Sequence, residues 1–476
     1  MKELDYRKLG FFLLLLLPTV AIAEHLQITH GDPIAPVILG VTGILSVALI
    51  GRFSARQLGM PSVIGELVIG IIVGNLAYYF HYDFIVFLRE GPAAFDAVEK
   101  MLKGVSLDEC ARDLGAQGKY IIDIIRGPNG HEILQIAQTA DVFSRYGIIF
   151  LLFLVGLDTS VEEMREVGPD SARVAVIGVV LPFALGFLAS TLLMEKPDVP
   201  TSLFLGATLA ATSVGITAIV LQELEMEHTD IAHIILGAAV FDDVLGLLML
   251  AIISGIIVTG DIDIFNVTSS ILSASFFLIA AIAVGPYLVR LFIKLFHRLD
   301  IVEAKMFVSY LFVMLMAWIA NLSGLATIIG AFAAGIILHD TYFDHWKTEG
   351  KCSVTIKDLI MPLEVILVPI FFVLMGLQVK LETFFHPDVM LLAAGLIVAA
   401  VIGKLFSGFG AFHNNNRIAI GIGMMPRGEV GLIFAAIGKS LDVLNDELFS
   451  AIVLMVIVTT LISPPLFKYF IKRNAV

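Results

Sequence analysis

Adjacent carboxylates at Asp242 and Asp243 lie in the middle of an apolar stretch running from Asp230 to Val258. At about 1.5 Å of rise per residue a helix over that stretch crosses a hydrocarbon core of roughly 30 Å, and Asp242 falls about 18 Å in, near the midplane. An acid at that depth costs about 2.5–3.5 kcal/mol on insertion scales and is read as functional. Lys404 sits in a second apolar stretch, 389–411, about 22 Å from its outer end by helical rise. A buried ammonium needs a counter-ion unless it snorkels to the inner face. Only Glu66 and Glu429 join the two aspartates as acids deep in such stretches. Neighbours on a helix point about 100° apart, so the adjacent acids can face two partners, the lysine and a mobile cation.

Two further stretches carry residues that disfavour a helix at mid-membrane depth. One reads Gly206-Ala-Thr-Leu-Ala-Ala-Thr212-Ser213-Val-Gly215, the other Gly421-Ile-Gly-Met-Met-Pro426-Arg427-Gly428-Glu429-Val-Gly431. Proline removes a backbone hydrogen bond and glycine relaxes the backbone. Irregular backbone at that depth survives where it lines a polar cavity. Both stretches are therefore expected to be discontinuous helices offering free carbonyls and half-helix dipoles, with a plain proline kink as the alternative. Hydroxyls of Thr212 and Ser213, carboxylates and freed carbonyls make an oxygen-rich site, which suits a hard monovalent cation such as Na⁺ or Li⁺. Burial and a nearby ammonium act on a carboxylate's proton affinity in opposite senses, and their balance can poise proton binding near physiological pH. Protons and the cation then compete for the same oxygens, which is sufficient for exchange.

The elements that must hold these groups follow from composition. The chain of 476 residues is 58% hydrophobic and 15% charged, against roughly 25% charged in soluble domains. Its mean hydropathy is +0.93. It reads as an all-α polytopic membrane protein with about 13 transmembrane helices. The expected spans are 35–51, 61–80, 141–157, 173–194, 202–223 and 231–258, then 269–296, then 306–323, 325–339, 359–378, 389–411, 417–438 and 447–470. With thirteen spans the basic loops (Arg52, Arg56, Arg165, Arg290, Lys294, Arg298, Lys347, Lys351, Arg417, Lys472) all fall on one side, placing the N-terminus outside and the C-terminus inside. The net charge of −13 adds little, because acids hardly affect topology. No basic stripe or aromatic platform marks nucleic-acid binding.

The second half repeats the first. Ile64-Gly65-x4-Gly70-Ile-Ile matches Ile329-Gly330-x4-Gly335-Ile-Ile, Gly156-Leu157 matches Gly376-Leu377, and Ser213-Val-Gly215 can be laid on Glu429-Val-Gly431. The chain is thus expected to form two inverted six-helix repeats joined by a linker helix over 269–296, an architecture of secondary transporters. Segments 31–80 and 141–258 belong to repeat 1, and 306–339 and 359–470 to repeat 2. Residues 1–23 resemble a cleaved signal peptide, with an uncleaved anchor as the alternative. Residues 81–140 form an extracytoplasmic insert of short amphipathic helices, its charges expected to be solvated. Cys110 and Cys352 fall on opposite sides and are not expected to pair. His339, Asp340, Asp344 and His345 cluster at an inner loop, read as solvated rather than as a metal site.

Phe241-Asp242-Asp243, Thr212-Ser213-Val-Gly215-Ile, Lys404 and Pro426-Arg427-Gly428-Glu429 together resemble the bacterial monovalent cation:proton antiporters of the CPA2 type. The resemblance covers nearly the whole chain outside residues 1–30 and 81–140. It implies exchange of Na⁺ and Li⁺ for protons by alternating access in the bacterial inner membrane, with a core domain moving against a dimerisation domain in a homodimer. By position it makes Asp243 the ion carboxylate and pairs Asp242 with Lys404. It places Thr212, Ser213 and Glu429 at the ion and proton site and gives Pro426, Arg427 and Gly215 structural roles there. The lysine and paired acids resemble the electrogenic members, which move two protons per Na⁺. No cofactor is implied beyond the transported ions, and no catalysis. A K⁺/H⁺ antiporter is the alternative. A channel is disfavoured by the inverted repeat and the absence of a filter loop. An intramembrane aspartyl protease is disfavoured because its acids must face each other from separate helices.

Overall fold

The computed structural model describes Asp32 and residues 34–474, apart from 59, 104, 108–109, 112–116, 159–167, 214–216, 218–220, 222–225, 227–228, 260–263, 297, 324, 347–353 and 413–415. Residues 1–23, Gly215 and Cys352 therefore lie outside the described residues. All regular elements among the described residues are helical, as expected where the backbone must satisfy its own hydrogen bonds in lipid. Nine described helices are long and apolar enough to cross a membrane, and three shorter apolar helices cover Val199–Ala210, Thr327–Ile337 and Val430–Ser440. With the helix Ile264–Leu295, every expected span overlaps a described helix, although 202–223 does so only up to Ala210 and 417–438 is divided between two helices. The chain divides into two compact units.

The first unit comprises residues up to Gly147 and Val365–Leu381. It holds α1 (Ala35–Gln57), α2 (Ser62–Tyr79), α3 (Asp83–Glu90), α4 (Pro92–Leu102), α5 (Gly118–Arg126) and the first part of α6 (Gly130–Asp158). The helix containing the third expected span thus starts at Gly130, inside the stretch read as the insert. The insert is not simply a solvated cover. Arg89 is 1% and Glu90 4% exposed. The Arg89 guanidinium donates to Asn75 Oδ1 at 3.0 Å, and Lys380 pairs with Glu90 at 2.8 Å. Asn75 also donates to the Val379 carbonyl at 2.9 Å and accepts from the Leu381 amide at 3.1 Å. One asparagine side chain thus ties together the end of α2, the last residues of α3 and residues 379–381. Glu66 pairs with Arg52 at 2.6 Å, so this deep acid is neutralised within the α1–α2 pair.

The second unit comprises 148–364 and 382–476. It holds the rest of α6, then α7 (Pro169–Leu193), α8 (Val199–Ala210), α9 (Asp230–Thr259), α10 (Ile264–Leu295), α11 (Ile301–Leu322), α12 (Thr327–Ile337), the start of α13 (Ile356–Leu377), α14 (Pro387–Ser407), α15 (Arg417–Gly423), α16 (Gly428–Ser440) and α17 (Asp446–Asn474). The cluster at His339, Asp340, Asp344 and His345 is only partly solvated among its described residues. Lys305 is buried and pairs with Asp340 at 2.5 Å, and Asp340 also accepts from the Ile356 amide at 3.2 Å. The side chains of Asp344 and His345 lie outside the described residues. Among the described residues no group of three His, Cys, Asp or Glu could hold a metal ion.

The repeated glycines make close helix contacts. In the first unit a Cβ on Gly376 would lie 2.8 Å from the Gly70 Cα. In the second unit a Cβ on Gly335 would lie 2.7 Å from the Gly156 Cα. Small residues at both faces let the backbones touch, which is how helices gain packing where lipid removes the hydrophobic drive. Gly376→Val is therefore expected to force α2 and α13 apart, lowering stability by about 1–3 kcal/mol or more. A detergent thermal-unfolding midpoint equal to the parent's would contradict that contact.

Candidate ion-binding site

The site is built in the second unit from α9, α14 and the two interrupted helices. α9 runs unbroken past Asp242, whose side chain is fully buried. Across from it, Lys404 of α14 places Nζ 3.0 Å from both Asp242 carboxylate oxygens, and Lys404 is also fully buried. An isolated charge in such a setting costs several kcal/mol, and a bidentate partner offsets it. Gly178 of α7 packs beside the ammonium: a Cβ there would sit 3.4 Å from Nζ, an ordinary van der Waals contact.

The breaks in the two half-helix pairs lie against each other. α8 starts with Asp198 capping the Thr201 amide at 3.0 Å and stops at Ala210, after which Ala211 turns extended. α15 stops at Gly423, where Pro426 ahead of it has no N–H to continue the ladder. The Ser213 amide donates to the Pro426 carbonyl at 2.8 Å. The Thr217 hydroxyl donates to the Gly423 carbonyl at 2.6 Å. The Thr212 hydroxyl is 3.5 Å from the Met424 carbonyl, at the limit for a hydrogen bond, and it lies near the Asp242 carboxylate. Carbonyls freed at one break are thus satisfied by groups from the other, as a low-dielectric interior requires.

Arg427, fully buried, connects these parts. Its guanidinium donates to the Ala211 carbonyl and, at 3.4 Å, to the Ala400 carbonyl of α14. Its charge also acts on Asp242. A cation at the carboxyl end of α8 meets the negative end of that half-helix. The arrangement is a cation-lined acid beside two loosened backbones. It can hold a carboxylate in the membrane interior and expose oxygen ligands next to it.

Of the residues expected at the site, Asp242, Lys404, Thr212, Pro426 and Arg427 come together, and Ser213 joins through its backbone. Asp243 follows Asp242 on α9 and Glu429 lies in the first turn of α16, but both side chains lie outside the described residues, as does Gly215. Thr217, Gly178 and the Ala211 and Ala400 carbonyls were not anticipated. Thr217 is four residues beyond Ser213, a helical spacing that could have flagged it. The others offer no local signal.

The chain matches the family described as sodium/hydrogen exchanger, transmembrane, over residues 44–470. The high-affinity Na⁺/H⁺ antiporter NhaS3 of Synechocystis sp. is 35% identical over 443 residues, 91% of this chain and 89% of that protein. The Na⁺/H⁺-K⁺ antiporter GerN of Bacillus cereus is 35% identical over 362 residues, 74% of this chain and 88% of the relative. The solved structure of the sodium proton antiporter MjNhaP1 of Methanocaldococcus jannaschii superposes with a TM-score of 0.59 at 16% identity, covering 91% of this chain and 96% of that one. At that identity the likeness speaks to the fold.

Proposed function

The chain belongs to the sodium/hydrogen exchanger family, and from that premise we propose that it exchanges Na⁺, and with it Li⁺, for protons by alternating access. The observation that carries this reading is the buried Asp242–Lys404 pair beside two interrupted helices. In this reading Asp243 binds the ion or the proton in turn, Asp242 answers to Lys404, and Thr212, Ser213 and Glu429 complete the polar surroundings. Pro426, Arg427 and Gly215 shape the crossing. The chain carries ions and catalyses no covalent chemistry.

The alternating-access part draws support from the glycine contacts. Gly70 and Gly335 are equivalent in the two repeats, as are Gly156 and Gly376, and each of the first pair packs on the partner from the other repeat. Such an exchange of partners is what a pseudo-two-fold relation between inverted repeats produces. The basic loops support an N-terminus outside and a C-terminus inside a bacterial inner membrane, and the protein works as a homodimer. Exchange of two protons per Na⁺ moves one net charge, worth about 2.3 kcal/mol per 100 mV. K⁺/H⁺ exchange is a second reading with less support, kept because the Bacillus cereus relative is a Na⁺/H⁺-K⁺ antiporter.

The test is reconstitution in proteoliposomes with an imposed pH gradient. Na⁺ and Li⁺ should dissipate the gradient, and Asp243→Asn should abolish that response. Dissipation by K⁺ at equal rate would favour the second reading, and dissipation without any added cation would favour a channel. Clamping the membrane potential should speed exchange. Equal rates with the potential clamped or free would exclude net charge movement.

A further inference from the structure

We propose that Thr460 of α17 is a positioning residue for transport, holding the first turn of α16 so that Arg427 and the Pro426 carbonyl keep their contacts with Ala211 and Ser213. The proposal rests on the site assignment above. The Gly428 amide donates to the Thr460 hydroxyl at 3.2 Å, and Thr460 is 1% exposed. The first amides of any helix lack intrahelical acceptors. Here the first regular bond of the half-helix is Gly431 to the Arg427 carbonyl at 3.1 Å. The residue that precedes α16, Arg427, gives no side-chain cap, because a guanidinium has no acceptor to offer a backbone N–H; it donates instead to the Ala211 and Ala400 carbonyls. The cap is supplied instead from a different helix, by a hydroxyl 32 positions on.

The place of this cap matters because three consecutive residues are each held from outside α16. The Pro426 carbonyl accepts from the Ser213 amide, Arg427 reaches the end of α8, and the Gly428 amide is held by Thr460. Gly428 has φ of +29°, a conformation that L side chains avoid, so the backbone here relies on outside contacts to keep its direction. Without the hydroxyl, a buried N–H is left unpaired where water cannot replace it. The 427–428 peptide can then turn to find another acceptor. Turning it moves Arg427, a cation that acts on Asp242 together with Lys404.

A mere stabilising cap and a positioning residue differ in kinetics. Thr460→Val keeps the shape and removes the hydroxyl, whereas Thr460→Ser keeps the hydroxyl and removes the methyl. In proteoliposomes containing equal amounts of protein, Thr460→Val is expected to raise the half-saturating Na⁺ concentration about tenfold, or about 1.4 kcal/mol. Thr460→Ser is expected to stay within about twofold of the parent. A normal half-saturation in Thr460→Val, or an equal defect in Thr460→Ser, overturns the proposal. If Thr460→Val does not accumulate, Thr460→Ala is measured with the same expectations. If neither accumulates while Thr460→Ser does, the residue is purely structural and the proposal falls. Asp243→Asn separates this from the site assignment: its full exchange would sink that assignment, whereas an inactive Asp243→Asn beside a normal Thr460→Val sinks only the role of Thr460.

Discussion

Lys404→Met is expected to lower stability by about 3–5 kcal/mol, because it strands a buried carboxylate that has no water to turn to. The pair is bidentate at 3.0 Å and both side chains are fully buried, so little solvent screening softens the loss. Asp242→Asn strands the lysine and should cost a similar amount. The double variant Asp242→Asn with Lys404→Met removes both charges and should recover most of the stability, since a neutral pair of similar volume avoids the desolvation of two ions. Thermal unfolding in detergent with all four proteins gives the coupling directly. Additive losses of under about 1 kcal/mol each would show that the pair is not the buried contact described. Transport should not recover with stability: the double variant is expected to lose the dependence of exchange rate on membrane potential.

Arg427→Ala is expected to be nearly as damaging, at about 2–5 kcal/mol, because it removes donors from two carbonyls in an interior that offers no substitute. The Ala211 carbonyl ends α8 and the Ala400 carbonyl belongs to α14, and one guanidinium serves both. A planar fork can bridge two acceptors in fixed directions, and a single ammonium cannot reproduce that. Arg427→Lys should therefore keep a positive charge near Asp242 but lose part of the stability and raise the half-saturating Na⁺ concentration. Thermal midpoints and Na⁺ titrations of both variants check this. A parental midpoint in Arg427→Ala would mean that the crossing does not depend on this side chain.

Much of this protein was legible because lipid is an unforgiving solvent. Each expected span overlaps a described helix, since roughly 20 apolar residues have few other ways to satisfy their backbone. Asp242, Lys404 and Arg427 announced themselves for the same reason, being charges too costly to keep without purpose. Pro426 marked its break because it carries no N–H. Less was visible outside the hydrocarbon region. Arg89 and Glu90 looked like solvated charges of a polar insert, yet they are buried against Asn75 and Lys380. Asp340 looked like a loop residue, yet it pairs with Lys305. In water-facing segments a charge carries no penalty that would signal a buried partner.

The two aspartates and the lysine were thus legible in the sequence as costly charges at membrane depth, through the cost of desolvation alone. Tertiary structure decided which groups meet. Lys404 lies 162 positions from Asp242, Arg427 216 from Ala211, and Thr460 32 from Gly428, and no local propensity encodes such pairings. They follow from the packing of α7, α9 and α14 around the two breaks, where every donor and carbonyl excluded from water must find a partner on another helix.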